Sequence, residues 1–399
     1  MRISINANRC QPSPMRKFHP YAVEAKRQGK KIYHLNIGQP DLPTPQAYYD
    51  AVKTFDAKTL EYEASPGMPM LIDAVKKYYK ELQVDLEDND ILITTGGSEA
   101  LLFTCLSILD PYTEVIIPEP YYPNYTTFVH AAGGVIRALP TNPWEGYRYA
   151  KRERIESLIT KNTRAIMITN PGNPTGVVLD KEEMRMIADI AKKHDLFLIC
   201  DEVYREFCYD DKFGVPTMAR FRDIDENLVI IDSVSKRFSA CGARVGCIIS
   251  RNKELMAHCM KMCQARLCVA TLDQIASAAL YEVGPEYFAA VRDEYKARRD
   301  TCMEGLKKIP GVVCECPKGA FYIMAKLPID DADKFQIWLL EEFEDNGETV
   351  QFSPAQSMYA TPGKGINEIR MAYVLEQHKL ARAMELLGIA LEKYNALNK

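Results

Sequence analysis

Short apolar, β-branched runs alternate with amphipathic stretches through the middle of the chain. The runs occupy residues 91–94, 114–118, 165–169, 196–200, 228–231 and 245–249. Each is nearly continuous in apolar residues, as in a strand covered on both faces. Between them, residues 182–194 set Met184, Met186, Ile187, Ile190 and Ala191 at helical spacing. Such strands separated by helices predict a mainly parallel sheet with helices on both sides. At the start, Pro12, Pro14 and Pro20 interrupt an N-terminal arm, residues 21–31 predict a polar helix, and His34-Leu35-Asn36-Ile37 reads as a strand entering a loop at Gly38 and Pro40. The pattern changes in the last third. Residues 286–309 predict a long charged helix, 312–316 and 321–324 an antiparallel pair around Pro317-Lys318-Gly319, and 334–344 and 375–397 two further helices. We therefore expect an α/β chain: a large domain with a mainly parallel mixed sheet flanked by helices, plus a smaller α+β domain. The expected bounds are 1–45 for the arm and part of the small domain, 46–285 for the large domain and 286–399 for the small C-terminal domain.

Composition narrows the class. The 399 residues are 47% hydrophobic and 26% charged, which excludes a disordered chain. Fifty Lys and Arg against 54 Asp and Glu leave a net charge of −4, with no basic excess for nucleic acid. No run approaches the roughly 18 apolar residues of a membrane span, and Met1 to Asn8 show no secretory h-region. Twelve cysteines in this length are too sparse for a disulfide scaffold. No CxxC occurs and the six histidines form no partner pair, so buried reduced thiols are expected and no metal site. The expected compartment is the cytoplasm.

In open α/β sheets ligands bind beyond the carboxyl ends of the strands, so the residues after each run carry the chemistry. After 91–95 comes Gly96-Gly97-Ser98-Glu99 opening a helix, a place where free N–H groups meet an anion, although a plain turn has the same form. After 165–169 comes Asn170-Pro171-Gly172-Asn173-Pro174-Thr175-Gly176, whose prolines and glycines fix the path of two Asn side chains. After 196–200 comes Asp201-Glu202-Val203-Tyr204. A carboxylate at the end of a buried strand needs a cation or donors, supplied either by a ligand or by a structural ion pair. After 228–232 comes Ser233-Val234-Ser235-Lys236, with Arg244 and Gly246 following. A lysine so placed can be desolvated, as a Schiff-base amine requires, and the serines and Arg244 suit a phosphate.

Taken together, Gly38-x-Pro-Asp41, Tyr62-x4-Gly67, the Asn170–Gly176 motif, Asp201-x2-Tyr204, Ser233-x-Ser-Lys236-x7-Arg244-x-Gly246 and a late Arg370 resemble the class I aminotransferases, pyridoxal-phosphate enzymes of fold type I. The resemblance covers nearly the whole chain. It implies that Lys236 holds pyridoxal phosphate as a Schiff base and shuttles a proton, and that Asp201 pairs with the pyridine nitrogen. Tyr204 and Asn173 would bond the ring 3′-oxygen, Tyr122 would stack on the ring, and Gly97, Ser98, Ser233, Ser235 and Arg244 would line the phosphate site. Arg370 would clamp the substrate α-carboxylate, with Asn36 and Gly38 closing over it. Tyr62 would reach the phosphate of the other subunit, which implies a homodimer. Many members carry Trp at the position of Tyr122 and Leu-Arg at that of Leu71-Ile72; neither departure touches a reacting group.

The implied activity moves an amino group from an L-amino acid to a 2-oxo acid such as 2-oxoglutarate. A carbon–sulfur β-lyase on the same scaffold is the alternative. A cofactor-binding regulator would need an attached DNA-binding module, and the residues before Gly38 show no helix-turn-helix pattern. For an aspartate substrate the distal carboxylate needs a cation. Arg266, just before Thr271-Leu272-Asp273-Gln274, is the candidate from the partner subunit; otherwise it is a surface residue closing a helix.

Overall fold

The computed structural model describes residues 1–210 and 216–397. Among the described residues there are twelve strands: β1 Lys31–His34, β2 Ile91–Thr94, β3 Glu114–Pro118, β4 Val135–Leu139, β5 Thr163–Thr169, β6 Phe197–Asp201, β7 Leu228–Ser233, β8 Gly246–Ile249, β9 Tyr322–Lys326, β10 Glu348–Gln351, β11 Ser353–Pro354 and β12 Glu368–Ala372. Seven of them form one sheet in the order β2-β8-β7-β6-β5-β3-β4. All its pairs are parallel except the two made by β8, which runs against both β2 and β7.

The unbroken apolar runs have a direct cause. Ile91, Ile166, Ile168, Leu198, Cys200, Leu228 and Ile230 pack into the core on one face of this sheet. Leu92, Ala165, Met167, Ile199, Val229 and Ile231 alternate with them and pack on the other. Both faces of these runs are therefore covered, and buried polar residues such as Thr94, Asp201 and Asp232 fall at the strand ends. The helix Lys181–Lys193 covers the first face; an Asp180/Glu183 capping box starts it, and Met184, Ile187, Ala188, Ile190 and Ala191 are its buried residues. Met186, expected in that stripe, is only partly buried.

The smaller sheet has the order β11-β12-β9, all antiparallel, and β1 pairs in parallel with β10. The chain start is thereby tied to the C-terminal third, where Tyr33 and Leu35 join a core with Phe335, Phe352 and Leu387. Several local expectations differ. The first strand is Lys31–His34, not 34–37, because its edge is set by β10. The early helix is His19–Arg27: Pro20 sits in its first turn, where no N–H is needed, and Gly29 with φ 89° ends it. No hairpin joins 312–316 to 321–324; only Val313 bridges to Lys326, and β9 takes β12 as its partner. The long helix runs Pro285–Leu306, and the later two run Ala332–Glu341 and Gln377–Leu397.

Candidate active site

Because β2 and β7 both run against β8, the carboxyl ends of β2, β5, β6 and β7 lie along one edge of the large sheet. There the chain enters the helix Gly96–Ile108, the 170–176 loop, Asp201 to Tyr204 and the Ser233 to Lys236 turn. These segments surround a cavity of about 290 Å³. Lys236 projects into it, with Nζ donating to the Gly38 carbonyl at 2.9 Å and lying 3.6 Å from Cys241 Sγ.

Asp201 forms the cavity floor and is 5% exposed. Its carboxylate accepts from the Tyr125 hydroxyl at 2.6 Å and from the Val203 N–H at 3.3 Å, and among the described residues no cation forms an ion pair with it. Burial pushes its pKa up to about 6 against the smaller opposing effect of the Tyr125 bond. On one wall Asn173 donates to the Tyr204 hydroxyl at 3.3 Å, and that hydroxyl meets the Tyr322 hydroxyl at 2.9 Å. Burial, reinforced by Tyr322, holds the Tyr204 phenol well above its ordinary range, so it stays a neutral donor.

Arg370, on β12, approaches from the smaller sheet. It donates to Asn173 Oδ1 at 3.2 Å and to the Asn36 carbonyl at 3.1 Å, and its guanidinium stands 4.6 Å from the Tyr322 ring centre. Its Nε is buried and without a partner. Opposite, Gly97 and Ser98 open a 13-residue helix facing Arg244. Gly96 takes φ +76°, which L side chains rarely adopt, and lets the Arg244 guanidinium lie close to the backbone. Ser233 bonds Ser235 through their hydroxyls at 2.7 Å, which fixes both against the same corner. An N-terminal helix end, two hydroxyls and a guanidinium form an anion cradle; the lysine, the buried carboxylate and Arg370 complete a site for a phosphorylated, cation-bearing ring and a carboxylate-bearing substrate.

Residues 30–354 match the sequence model described as aminotransferase class I and II. The chain belongs to this family. It is 31% identical over 371 residues to an aspartate aminotransferase of Pyrococcus horikoshii, covering 90% of this chain and 91% of that one. It is 29% identical over 388 residues to a probable aspartate/prephenate aminotransferase of Thermus aquaticus, covering 96% and 97%. A single mutant of Thermus thermophilus aspartate aminotransferase superposes with a TM-score of 0.88 at 28% identity, over 98% of this chain and 100% of that one. An alanine aminotransferase from Pyrococcus furiosus superposes with a TM-score of 0.89 at 26% identity, over the same shares.

In this aminotransferase the cavity brings together Gly38, Gly97, Ser98, Tyr122, Asn173, Asp201, Tyr204, Ser233, Ser235, Lys236, Arg244 and Arg370. Asn36 touches the site through its carbonyl alone. Two expected residues lie elsewhere in the subunit. Tyr62 is 81% exposed and outside the cavity. Arg266 ends the helix Lys253–Arg266 and turns inward: it donates to the Ile93 carbonyl at 3.1 Å and lies 3.6 Å from Glu99, so it is neither a free surface cation nor part of its own subunit's cavity. Three residues without a motif also reach the site: Tyr125 on Asp201, Tyr322 on Tyr204, and Cys241 beside Lys236. Among the described residues no His, Cys, Asp and Glu cluster could hold a metal, and no helix is long and apolar enough to cross a membrane.

Proposed function

We propose that this aminotransferase binds pyridoxal phosphate through Lys236 and moves an amino group from an L-amino acid to a 2-oxo acid such as 2-oxoglutarate. The observation that carries the reading is Asp201: a buried carboxylate with a raised pKa and no cation, on the floor of a cavity that also holds a lysine amine and an anion cradle. A protonated ring nitrogen is the partner such a group lacks. When bound, pyridoxal phosphate supplies the carbonyl carbon that takes the amino group and a ring that withdraws electrons from the substrate α-carbon.

The chain's own residues account for the rest. Gly97, Ser98, Ser233, Ser235 and Arg244 would hold the phosphate, and Tyr122 would cover a ring face. Tyr204 and Asn173 would donate to the ring oxygen. Arg370 takes the α-carboxylate as a fork, for which its free Nε and its perch on Tyr322 suit it. Lys236, whose Nζ donates to the Gly38 carbonyl, would carry the substrate α-proton, and Gly38 would close the site. The relatives' names make aspartate the first amino acid to test. The β-lyase alternative has no observation of its own. We further infer a homodimer, in which the exposed Tyr62 serves the neighbouring subunit's phosphate, and a cytoplasmic location, which suits twelve cysteines too sparse for a disulfide scaffold.

The test is borohydride reduction of cofactor-loaded protein followed by peptide mapping. The pyridoxyl label belongs on Lys236, and a label on another lysine overturns the reading. Incubation with an amino acid alone should release one equivalent of 2-oxo acid per site. Continuous release of pyruvate from a cysteine conjugate would support the lyase instead.

A further inference from the structure

Tyr322, the first residue of β9, lines the lysine cavity from the smaller sheet. In the register of β9 with β12, Arg370 lies opposite Met324 and Ala372 opposite Tyr322, so Arg370 and Tyr322 leave one face as diagonal neighbours. That is why the Arg370 guanidinium comes to rest over the Tyr322 ring. The far end of the ring is wedged. Its hydroxyl occupies the space that a Cβ on Gly38 would need, and the residue is only 2% exposed. The Tyr204 ring meets it edge-on, with ring centres 5.6 Å apart.

The hydroxyl so placed has one hydrogen-bond partner among the described residues, the Tyr204 hydroxyl at 2.9 Å. A phenol carries one proton and two lone pairs. Two donors can therefore fill the Tyr204 oxygen: Asn173 Nδ2 at 3.3 Å and the Tyr322 hydroxyl. Asn173 cannot turn its amide over, because its Oδ1 accepts from Arg370 at 3.2 Å. With both lone pairs taken, the Tyr204 proton points away from Tyr322 and into the cavity. If Tyr322 accepted that proton instead, its own would be buried without an acceptor. The charges that act on Tyr204 are those of Asp201 and Arg370, and neither group bonds its hydroxyl.

We propose that Tyr322 is a positioning residue: by donating to Tyr204 it aims the Tyr204 proton at the ring oxygen of the bound cofactor. The inference rests on the proposed function, which puts that oxygen beside Tyr204 and Asn173. A donor held on the oxygen favours the form with most negative charge there, in which the Schiff-base nitrogen has lost its proton. Released by Tyr322, the Tyr204 O–H rotates out of line and that preference weakens. The Tyr322 ring has a separate use, because it carries the Arg370 guanidinium. Hydroxyl and ring of one side chain thus serve cofactor and substrate respectively.

Substitution separates the two. Absorbance of the cofactor-loaded protein against pH reads the protonation midpoint of the bound cofactor, without turnover. The midpoint should rise by about one pH unit in Tyr322→Phe, which is about tenfold in proton affinity. It should rise further in Tyr204→Phe, and adding Tyr322→Phe to that variant should move it no more, as for residues acting as one unit. In steady-state kinetics Tyr322→Phe should lower kcat about fivefold and leave KM for the amino acid unchanged. Tyr322→Leu, which removes the perch of Arg370, should raise KM as well, by about tenfold. Phe keeps the packing of the ring, and borohydride labelling of Lys236 confirms loading. A Tyr322→Phe midpoint equal to that of wild type overturns the inference. So does an equal further rise in the Tyr204→Phe background, since Tyr322 would then act without Tyr204. A midpoint unmoved in Tyr204→Phe alone is a different failure: it overturns the proposed place of the ring oxygen, and the inference falls with it.

Discussion

Asp201→Asn should make the cofactor-free protein more stable while crippling the loaded enzyme. In the folded chain Asp201 titrates near 6 instead of 3.8, mainly because burial penalises its charge. The difference of roughly two pKa units corresponds to about 3 kcal/mol. The sign follows from linkage. A carboxyl raised on folding favours the folded state while protonated, and loses that contribution as pH rises through its folded pKa. Above pH 6 the charged Asp201 therefore costs the empty protein about 3 kcal/mol, with little solvent screening to discount at 5% exposure. Asn removes the charge and can still accept the Tyr125 hydroxyl. Urea unfolding of stripped protein, at one fixed protein concentration, reads the difference. The variant should exceed wild type at pH 8, and wild type should recover about 1.4 kcal/mol of the gap at pH 5. With cofactor bound the order reverses: turnover should fall at least about a hundredfold for loss of one charge at the reacting system. A variant no more stable than wild type at pH 8, or a gap that ignores pH, would refute the reasoning.

Three further outcomes follow from contacts in the same region. Lys236→Ala should lose the borohydride-dependent label and nearly all turnover yet retain cofactor through the phosphate cradle, measured by ultrafiltration. Arg370→Lys should raise KM for every α-amino acid, by about a hundredfold, because a point charge cannot replace a fork; steady-state kinetics with aspartate and with alanine check it. Arg266→Ala should cost about 1–3 kcal/mol of unfolding free energy, by leaving the Ile93 carbonyl short of its donor, and should change turnover of aspartate and alanine by the same factor.

One strand of the large sheet, β4, which carries Arg137 and is mostly half-buried, was not expected. Most of the sheet was legible because stretches such as Ile91 to Ile93 and Leu228 to Ile231 are apolar throughout and buried on both faces. The motifs at their carboxyl ends were legible for the same reason: Asp201 and Lys236 are anomalies directly after apolar runs. The small sheet was not. β12, Glu368-Ile-Arg-Met-Ala372, carries two charged side chains into buried positions, Arg370 toward the site and Glu368 toward Tyr147 and Tyr359. Charged and apolar positions alternate there as in a half-exposed strand, yet all five residues are buried. The 312–316 segment has the composition of a strand but meets the outer edge of β9 only through the Val313–Lys326 bridge, while β12 pairs along the other edge. Tyr125 and Tyr322 act through hydroxyls at the ends of long-range contacts, which no local spacing encodes. Arg266 depended on the last turn of a helix, where Leu267 at φ 81° redirects the chain.

Two carboxylates at the ends of adjacent strands show how this fold separates structure from chemistry. Asp232 ends in a saturated network: it accepts from Arg237 at 2.6 and 2.8 Å, from Arg205 at 2.7 Å and from the Tyr79 hydroxyl at 3.0 Å. Arg205 also pairs with Glu202, so two arginines meet two carboxylates and the buried charge cancels. Burial alone would raise Asp232, but the arginines outweigh it and hold its pKa below the ordinary value. The Asp232–Arg237 pair also brackets the turn carrying Ser233, Ser235 and Lys236, and removing either member would strand a buried charge at about 3–5 kcal/mol. That cost fixes the lysine without touching it. Asp201 is as deeply buried, yet it receives only a hydroxyl and one backbone N–H, and its pKa moves the other way. The chain thus carries enough arginine to neutralise one carboxylate beside the site and leaves its neighbour without a cation. A cationic ligand is what that asymmetry accommodates.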